Sequence, residues 1–427
     1  MARIGILAGG GRLPLMIAES IAARGQSVHI VAIEGEADPA VAGFPHTWVN
    51  WGQIGRMVDT LRGQGDELVI AGAVRRPDLW KIRPDAGFFK SVPQIVMLLA
   101  GGDDSVLTRV VRFFEKKGLR VRGAHEVAPD LLAGVGPIGS VPLSPQDHVD
   151  AEMGFAVRRA LAGLDAGQAV VVAAGKVLAI EGAEGTDTML KRVASLAGRG
   201  GTTVRRGVLA KGPKPGQELR IDMPAIGPAT IENAVAAQLG GIVVEAGSVL
   251  ILDRGETVRR ADASNTAVHG LAGGAWPVKA LPLAGTGSRS GRVIGREQPS
   301  RRDAADIEKG LGVVERLAPF DTGAATVVAR AYILAIEAAE GLSAMLERVS
   351  GLRQWGVRAK RRIGVLVRRV APTDGEAGLL EALFGQAAGQ GLAGIAVTGS
   401  ASALAPYEDA ARLADRLGLF LVVCETR

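Results

Sequence analysis

Residues 209–231, "LAKGPKPGQELRIDMPAIGPATI", concentrate the residue types that phosphate chemistry needs. Lys211 and Lys214 sit in a proline-restrained loop, and Asp222 follows beside Pro224. Cations placed this way hold phosphate oxygens, while a nearby carboxylate orients a water or a divalent metal. Gln217, between them, joins the candidate substrate-binding set. The plainer reading of Asp222 alone is a residue that starts a turn. A second stretch, "AEGTDTMLKR", enters a helix at Thr186 and Asp187. Either residue can act as an N-cap, worth about 1 kcal/mol. Alternatively the helix start binds phosphate, with Lys191 and Arg192 on the following turn. On that second reading Asp187 and Asp222 are the candidate metal ligands.

Further candidates lie near the amino terminus. In "AGGGRLP" Gly9, Gly10, Gly11, Arg12 and Leu13 follow a short apolar run and open a helix. Backbone N–H groups at such a turn, with the positive end of a helix, make an anion site; a tight turn alone needs the same glycines. Glu34 ends the next apolar run, where a nicotinamide enzyme keeps its ribose-binding acid. Pro14, however, stands near the place of the third glycine of the dinucleotide fingerprint. "GAHE" carries His125 and Glu126 at the end of a later strand, and "VRRPD" places Arg76 where it can clamp an anion or simply be solvated.

These residues need elements to hold them. Residues 1–135 alternate short apolar runs with amphipathic stretches, so the spacing predicts a parallel sheet covered by helices on both faces. Residues 147–270 predict a second α/β unit: a helix in "DAEMGFAVRRALAGL", two strands around Gly175, a helix from "TDTMLKRVASLA", and closing strands in "GIVVEAG" and "VLILD", with Arg220 ending a short strand. Residues 271–302 lose periodicity in "GTGSRSGRVIGREQPSRRD" and read as a Gly/Ser/Arg tether. The fold class expected is α/β, a Rossmann-like first domain followed by a mixed-sheet α/β domain in two copies.

The second copy is residues 303–427. "LAIEGAEGTDTMLKRVASL" begins at Leu178 and "LAIEAAEGLSAMLERVSGL" at Leu334, 156 positions later. The glycine pairs Gly154/Gly310 and Gly167/Gly323 persist, whereas Thr186 becomes Leu342, Asp187 becomes Ser343 and Lys191 becomes Glu347. The Lys-Pro-Lys loop and "IDMPAIG" have no counterpart. A serine caps a helix as well as an aspartate does, so the losses point to chemistry rather than to helix formation.

Composition narrows the class. The chain has 427 residues, 47% of them apolar and 4% aromatic, a net charge of +6 and one cysteine, Cys424. A single cysteine excludes intramolecular disulfides and gives no sign of an oxidising compartment. The positive charge favours anionic partners, and the scarcity of aromatics argues against single-stranded nucleic acid. No apolar run reaches the roughly 20 residues that span a bilayer, and the glycine-broken start "MARIGILAGGGR" does not read as a signal peptide. The cytoplasm is the default expectation.

In order, "GILAGGGRLP", "GAHE", "GQAVVV", "LAIEGAEGTDTML", "GVLAKGPKP" and "IDMPAIGPATI" resemble the LpxI-type UDP-2,3-diacylglucosamine pyrophosphatases over about residues 1–270. The resemblance implies a substrate cleft between the first two domains. It implies Mg²⁺-dependent hydrolysis of the pyrophosphate in UDP-2,3-diacylglucosamine, a step of lipid A biosynthesis, with attack at the sugar-side phosphorus. It carries a catalytic aspartate onto Asp222, and it implies a homodimer working at the cytoplasmic face of the inner membrane. The third piece departs from the family pattern, and it is expected to be a structural repeat that takes over part of the partner contact. Two rivals remain, a nicotinamide-dependent oxidoreductase of a sugar nucleotide and a non-enzymatic nucleotide-binding regulator.

Overall fold

A computed structural model describes residues 3–74, 85, 103–197, 206–214, 217–272, 291–352, 362–371, 377–408 and 410–425. Near-continuous apolar runs such as "RIGILA" and "SVHIVAI" mark strands covered on both faces, and they form the centre of an all-parallel sheet. Its strands are β1 (Arg3–Ala8), β2 (Ser27–Ile33), β3 (His46–Val49), β4 (Glu67–Ala71) and β5 (Arg120–Arg122), ordered β3-β2-β1-β4-β5. Helices α1 (Leu13–Ala23), α2 (Ile54–Gln64), α3 (Asp103–Lys116) and the short α4 (Ala124–Val127) accompany it. The strand order reverses between β1 and β4, the place where open parallel sheets bind ligands beyond their strand ends.

The second sheet contains β6 (Gly136–Pro137), β7 (Ala169–Ala173), β8 (Lys176–Ile180), β9 (Val208–Lys211), β11 (Gly241–Ala246) and β13 (Ala267–Ala272), while β10 (Ala225–Ile226) pairs separately with β12 (Leu250–Ile251). The order is β6-β13-β11-β9-β7-β8, with β9, β11 and β13 parallel and the rest antiparallel. Helices α5 (Pro145–Ala160), α6 (Thr186–Ala197), α7 (Pro228–Ala236) and α8 (Arg254–Ala263) belong to this unit. Because β6 pairs with β13, the second sheet starts ahead of residue 147, between the two domains expected from sequence.

The third sheet repeats the second. Its strands β14 (Arg292–Ile294), β15 (Ala325–Ala329), β16 (Tyr332–Ile336), β17 (Val365–Arg369), β18 (Gly394–Gly399) and β19 (Phe420–Glu425) follow the order β14-β19-β18-β17-β15-β16. Helices α9 (Arg301–Leu317), α10 (Leu342–Leu352), α11 (Ala377–Gly389), α12 (Ala401–Glu408) and α13 (Ala411–Leu417) surround it. The expected tether is corrected at both ends: Leu271 and Ala272 finish β13, and Arg292–Ile294 form the edge strand β14 against β19. A three-residue edge strand flanked by glycine and arginine leaves almost no periodic signal. The centre of the tether, residues 273–290, lies outside the described residues.

The two copies pack face to face. Val157, Leu161, Val172, Val177 and Ile180 share one buried cluster with Val313, Leu317, Val328, Ile333 and Ile336, which are their own counterparts. The polar contacts are reciprocal as well. Ala183 N–H donates to the Leu334 carbonyl at 3.2 Å, and Ala339 N–H to that of Leu178 at 3.3 Å. Arg192 pairs with Glu184 of its own copy and, at 3.2 Å, with Glu340 of the other; Arg348 pairs with Glu340 at 2.7 Å and crosses to Glu184 at 3.2 Å. When i meets j and j meets i, the contact has the form of a two-fold dimer interface, realised here within one chain.

Candidate active site

The end of β9 delivers Lys211 into the interior beside the head of α6. Lys211 is only 7% exposed; its Nζ donates to Thr186 Oγ1 at 2.9 Å and to the Ala225 carbonyl at 2.9 Å. Thr186, the first residue of α6, donates its hydroxyl proton to Glu181 Oε2 at 3.0 Å. The hydroxyl thus orients an amine and a carboxylate, a different task from the N-cap considered from sequence. Burial lowers the pKa of Lys211, against the pull of Glu181, Asp187 and Asp222; burial likewise raises that of Glu181, against Lys211 and the Thr186 bond. An ammonium has three donors, so one N–H of Lys211 is left for an anionic ligand.

Beyond β9 the chain turns through Gly212 and Pro213 to Lys214. Lys214 Nζ pairs with Asp165 at 2.7 Å, and its backbone N–H donates to Gln217 Oε1 at 2.8 Å. Gln217, itself buried, then donates from Nε2 to Asp222 Oδ2 at 2.6 Å. Asp222 is exposed at the end of a turn closed by its own N–H to the Glu218 carbonyl at 3.0 Å. Arg220 lies inside this turn, not at a strand end as expected, and pairs with Glu218 and with Glu115 of the first domain. Asp187 is exposed and accepts from Asn233 Nδ2 at 3.1 Å; Lys191 is exposed one turn further along α6. Arg192, considered from sequence as a phosphate ligand, is committed to the interface between the copies.

The first domain closes over this turn. Leu13 at the head of α1 and Met223, next to Asp222, belong to one buried cluster. Gly123 lies against the Arg220 backbone, so that a methyl group there would stand 3.3 Å from the Arg220 Cα. This brings His125 of α4 to the boundary; its Nδ1 is buried without a hydrogen-bond partner among the described residues. Glu126 instead caps α4, accepting from Gly123 N–H at 2.7 Å and pairing with Arg122 at 3.2 Å. The glycine turn is partly committed too: Gly9 N–H donates to the Ala71 carbonyl at 2.8 Å and Gly10 N–H to that of Ala73 at 2.6 Å. Those two residues shape the turn, in which Gly11 takes a left-handed backbone conformation (φ +84°). Arg12 is exposed and pairs with Asp253 of the second domain at 3.1 Å. Arg76 lies outside the described residues.

Sequence reasoning missed Glu181. It ends "LAIE" in both copies, as Glu181 and Glu337, so comparing the copies does not single it out. Its burial against Thr186 and Lys211 is a tertiary fact with no local signature. As a donor set for a cation, Asp222 and Asp187 each engage one carboxylate oxygen with a side-chain amide, and the described residues contain no group of three or more His, Cys, Asp or Glu able to hold a metal. Mg²⁺ takes one or two carboxylates and completes its shell with water and substrate phosphate, so the lack of a larger cluster does not bear on it.

Comparison with known proteins agrees with the architecture. The family model described as the LpxI N-terminal domain matches residues 3–131, and that of the LpxI C-terminal domain matches twice, over residues 134–269 and 290–422. A relative from Caulobacter vibrioides, UDP-2,3-diacylglucosamine pyrophosphatase LpxI, is 42% identical over 265 residues, a match covering 61% of this chain and 95% of the relative. Among solved structures a murein peptide ligase from Psychrobacter arcticus 273-4 aligns over 100% of this chain and 91% of its own, with 10% identity and a TM-score of 0.20, too low to bear on the fold. With both family domains present in order and the second repeated, this chain belongs to the LpxI family.

Proposed function

We propose that the protein hydrolyses the pyrophosphate of UDP-2,3-diacylglucosamine to UMP and 2,3-diacylglucosamine 1-phosphate. The observation that carries this reading is the hydrogen-bonded line from Lys214 through Gln217 to Asp222, set beside buried Lys211 where the first domain meets the second. The Caulobacter relative bears the name of this activity. The third N–H of Lys211, the Lys214 ammonium and the head of α1 hold pyrophosphate oxygens. Lys214 leaves Asp165 to do so. Asp222, fixed by Gln217 through one oxygen, uses the other to orient water and accept its proton as the water oxygen bonds to the sugar-side phosphorus. The bond from that phosphorus to the bridging oxygen breaks, and UMP departs with the bridging oxygen. Asp222 and Asp187 are the residues that would hold Mg²⁺, which when bound offsets the pyrophosphate charge.

The third domain, in this reading, is structural: it covers the face of the second domain that a partner subunit would otherwise cover. The protein works as a peripheral enzyme at the cytoplasmic face of the inner membrane. Among the described residues no helix is long and apolar enough to cross a membrane, and the net charge of +6 favours an anionic surface. The direct test is UMP release from UDP-2,3-diacylglucosamine with Mg²⁺ present. Asp222→Ala is expected to reduce turnover by roughly 10²–10⁴-fold, the scale of a lost general base, while still binding substrate. Wild-type protein that binds the substrate without turning it over would overturn the assignment.

A further inference from the structure

Arg158 was not singled out by its sequence, yet it lies behind the Lys-Pro-Lys loop and is 6% exposed. Its guanidinium donates to the Pro213 carbonyl at 2.8 Å, approaches Glu245 at 3.6 Å and stacks on Phe155 at 5.0 Å. Its Nε is buried with no hydrogen-bond partner among the described residues. Burial draws its pKa down to about 10, although Glu245 pulls the other way. A buried and incompletely satisfied cation burdens a fold, so something local must require it.

The internal copy shows that the framework does not. Val314 occupies the corresponding place, fully buried in an apolar cluster with Val365, Val367 and Ala396. Strand register aligns Glu245 with Thr398 and Pro213 with Val370. In the copy, Val370 N–H donates to the Thr398 carbonyl at 2.8 Å, extending the ladder by one residue past β17. Pro213 has no N–H to donate, so in the second domain the ladder ends and the chain is released toward the site. Gly212 lets it pass, since a methyl group there would meet Arg158 Nη2 at 2.7 Å and Glu245 Oε2 at 2.8 Å. Arg158 and Glu245 are absent from the copy that also lacks Thr186, Lys211 and Lys214.

We propose that Arg158, paired with Glu245, is a positioning residue: by gripping the Pro213 carbonyl it fixes the Lys214 N–H, which orients Gln217, which orients Asp222. The inference rests on the hydrolase reading for its kinetic readout only. The test uses full-length Arg158→Val, the residue that the copy already tolerates, beside Arg158→Lys. Arg158→Val is expected to melt at or above the wild-type temperature and to exchange the amide protons of Gly212 and Lys214 at least about tenfold faster. Its kcat should be lower by about tenfold or more, and Arg158→Lys, which can still donate to Pro213, should recover most of that. Wild-type kcat/KM in Arg158→Val, or unchanged exchange at Gly212 and Lys214, would overturn the proposal. So would a loss of activity with a lowered melting temperature and faster exchange throughout the protein. If the wild type does not release UMP, the function assignment fails, and amide exchange still decides the role of Arg158.

Discussion

Burial disfavours the charge on both Lys211 and Glu181, and the attraction between the two supports each charge, with Thr186 hydrogen-bonded to both. Since the pKa of Lys211 is lowered, the ammonium proposed to hold pyrophosphate is lost on the alkaline side at a pH below the ordinary lysine range. The groups that resist this loss are Glu181 first, then Asp187 and Asp222. Glu181→Gln removes the strongest of these attractions, so the alkaline limb of kcat/KM should move to lower pH. A pH–rate profile of the two proteins checks this, and an unmoved or upward-shifted limb would refute it. Much of the site was legible in the residues. Lys211, Lys214, Gln217 and Asp222 share one segment rich in proline, glycine and charge, and Thr186, from the head of α6, meets Lys211 at its base. Glu181 and Arg158 escaped because their roles exist only after β8, β9 and α5 are assembled around them.

Between elements, the copies are joined by a ring of two arginines and two glutamates set in apolar contacts. Glu184 and Glu340 have side chains only 2% exposed. Such a ring adds little net stability compared with an apolar substitute, but removing one member strands a buried charge at a cost of roughly 3–5 kcal/mol. Arg348→Met should therefore lower the unfolding free energy, read from the denaturant midpoint and slope, by an amount near the bottom of that range, because Arg192 still serves both glutamates. A second change, Glu340→Gln, should recover part of the loss. An Arg348→Met protein that unfolds at the wild-type midpoint would show that the ring carries no such weight. The ring also refines what the repeat meant. Glu184/Glu340 and Arg192/Arg348 kept their charges because they bind copy to copy, whereas charges at the site had no such duty in the second copy. Equal spacing in the two phrases made the duplication plain in the sequence, but which retained residues serve packing within a copy and which serve the contact between copies depends on the face each presents.

At the scale of the whole molecule, duplication has not doubled the site. The turn around Asp222 is met by the first domain, through Leu13 packed with Met223 on one buried cluster, Gly123 against the Arg220 backbone and Glu115 paired with Arg220. The family model for the N-terminal domain matches residues 3–131, whereas that for the C-terminal domain matches twice, over residues 134–269 and 290–422. The residues of the third domain have changed: Leu342 stands where Thr186 is, Glu347 where Lys191 is, and strand register sets Arg368 in the place of Lys211. A full-length chain should therefore bind one molecule of UMP or an unhydrolysable UDP-sugar analogue, and Lys211→Met should abolish that binding entirely. Titration calorimetry reads both. Two binding events per chain, or heat remaining in Lys211→Met, would mean that the third domain kept a site of its own. One event per chain would mean that the copy persists because its face fits the first, since the buried surface that holds the second domain in shape is self-complementary and a duplicate is the partner already matched to it.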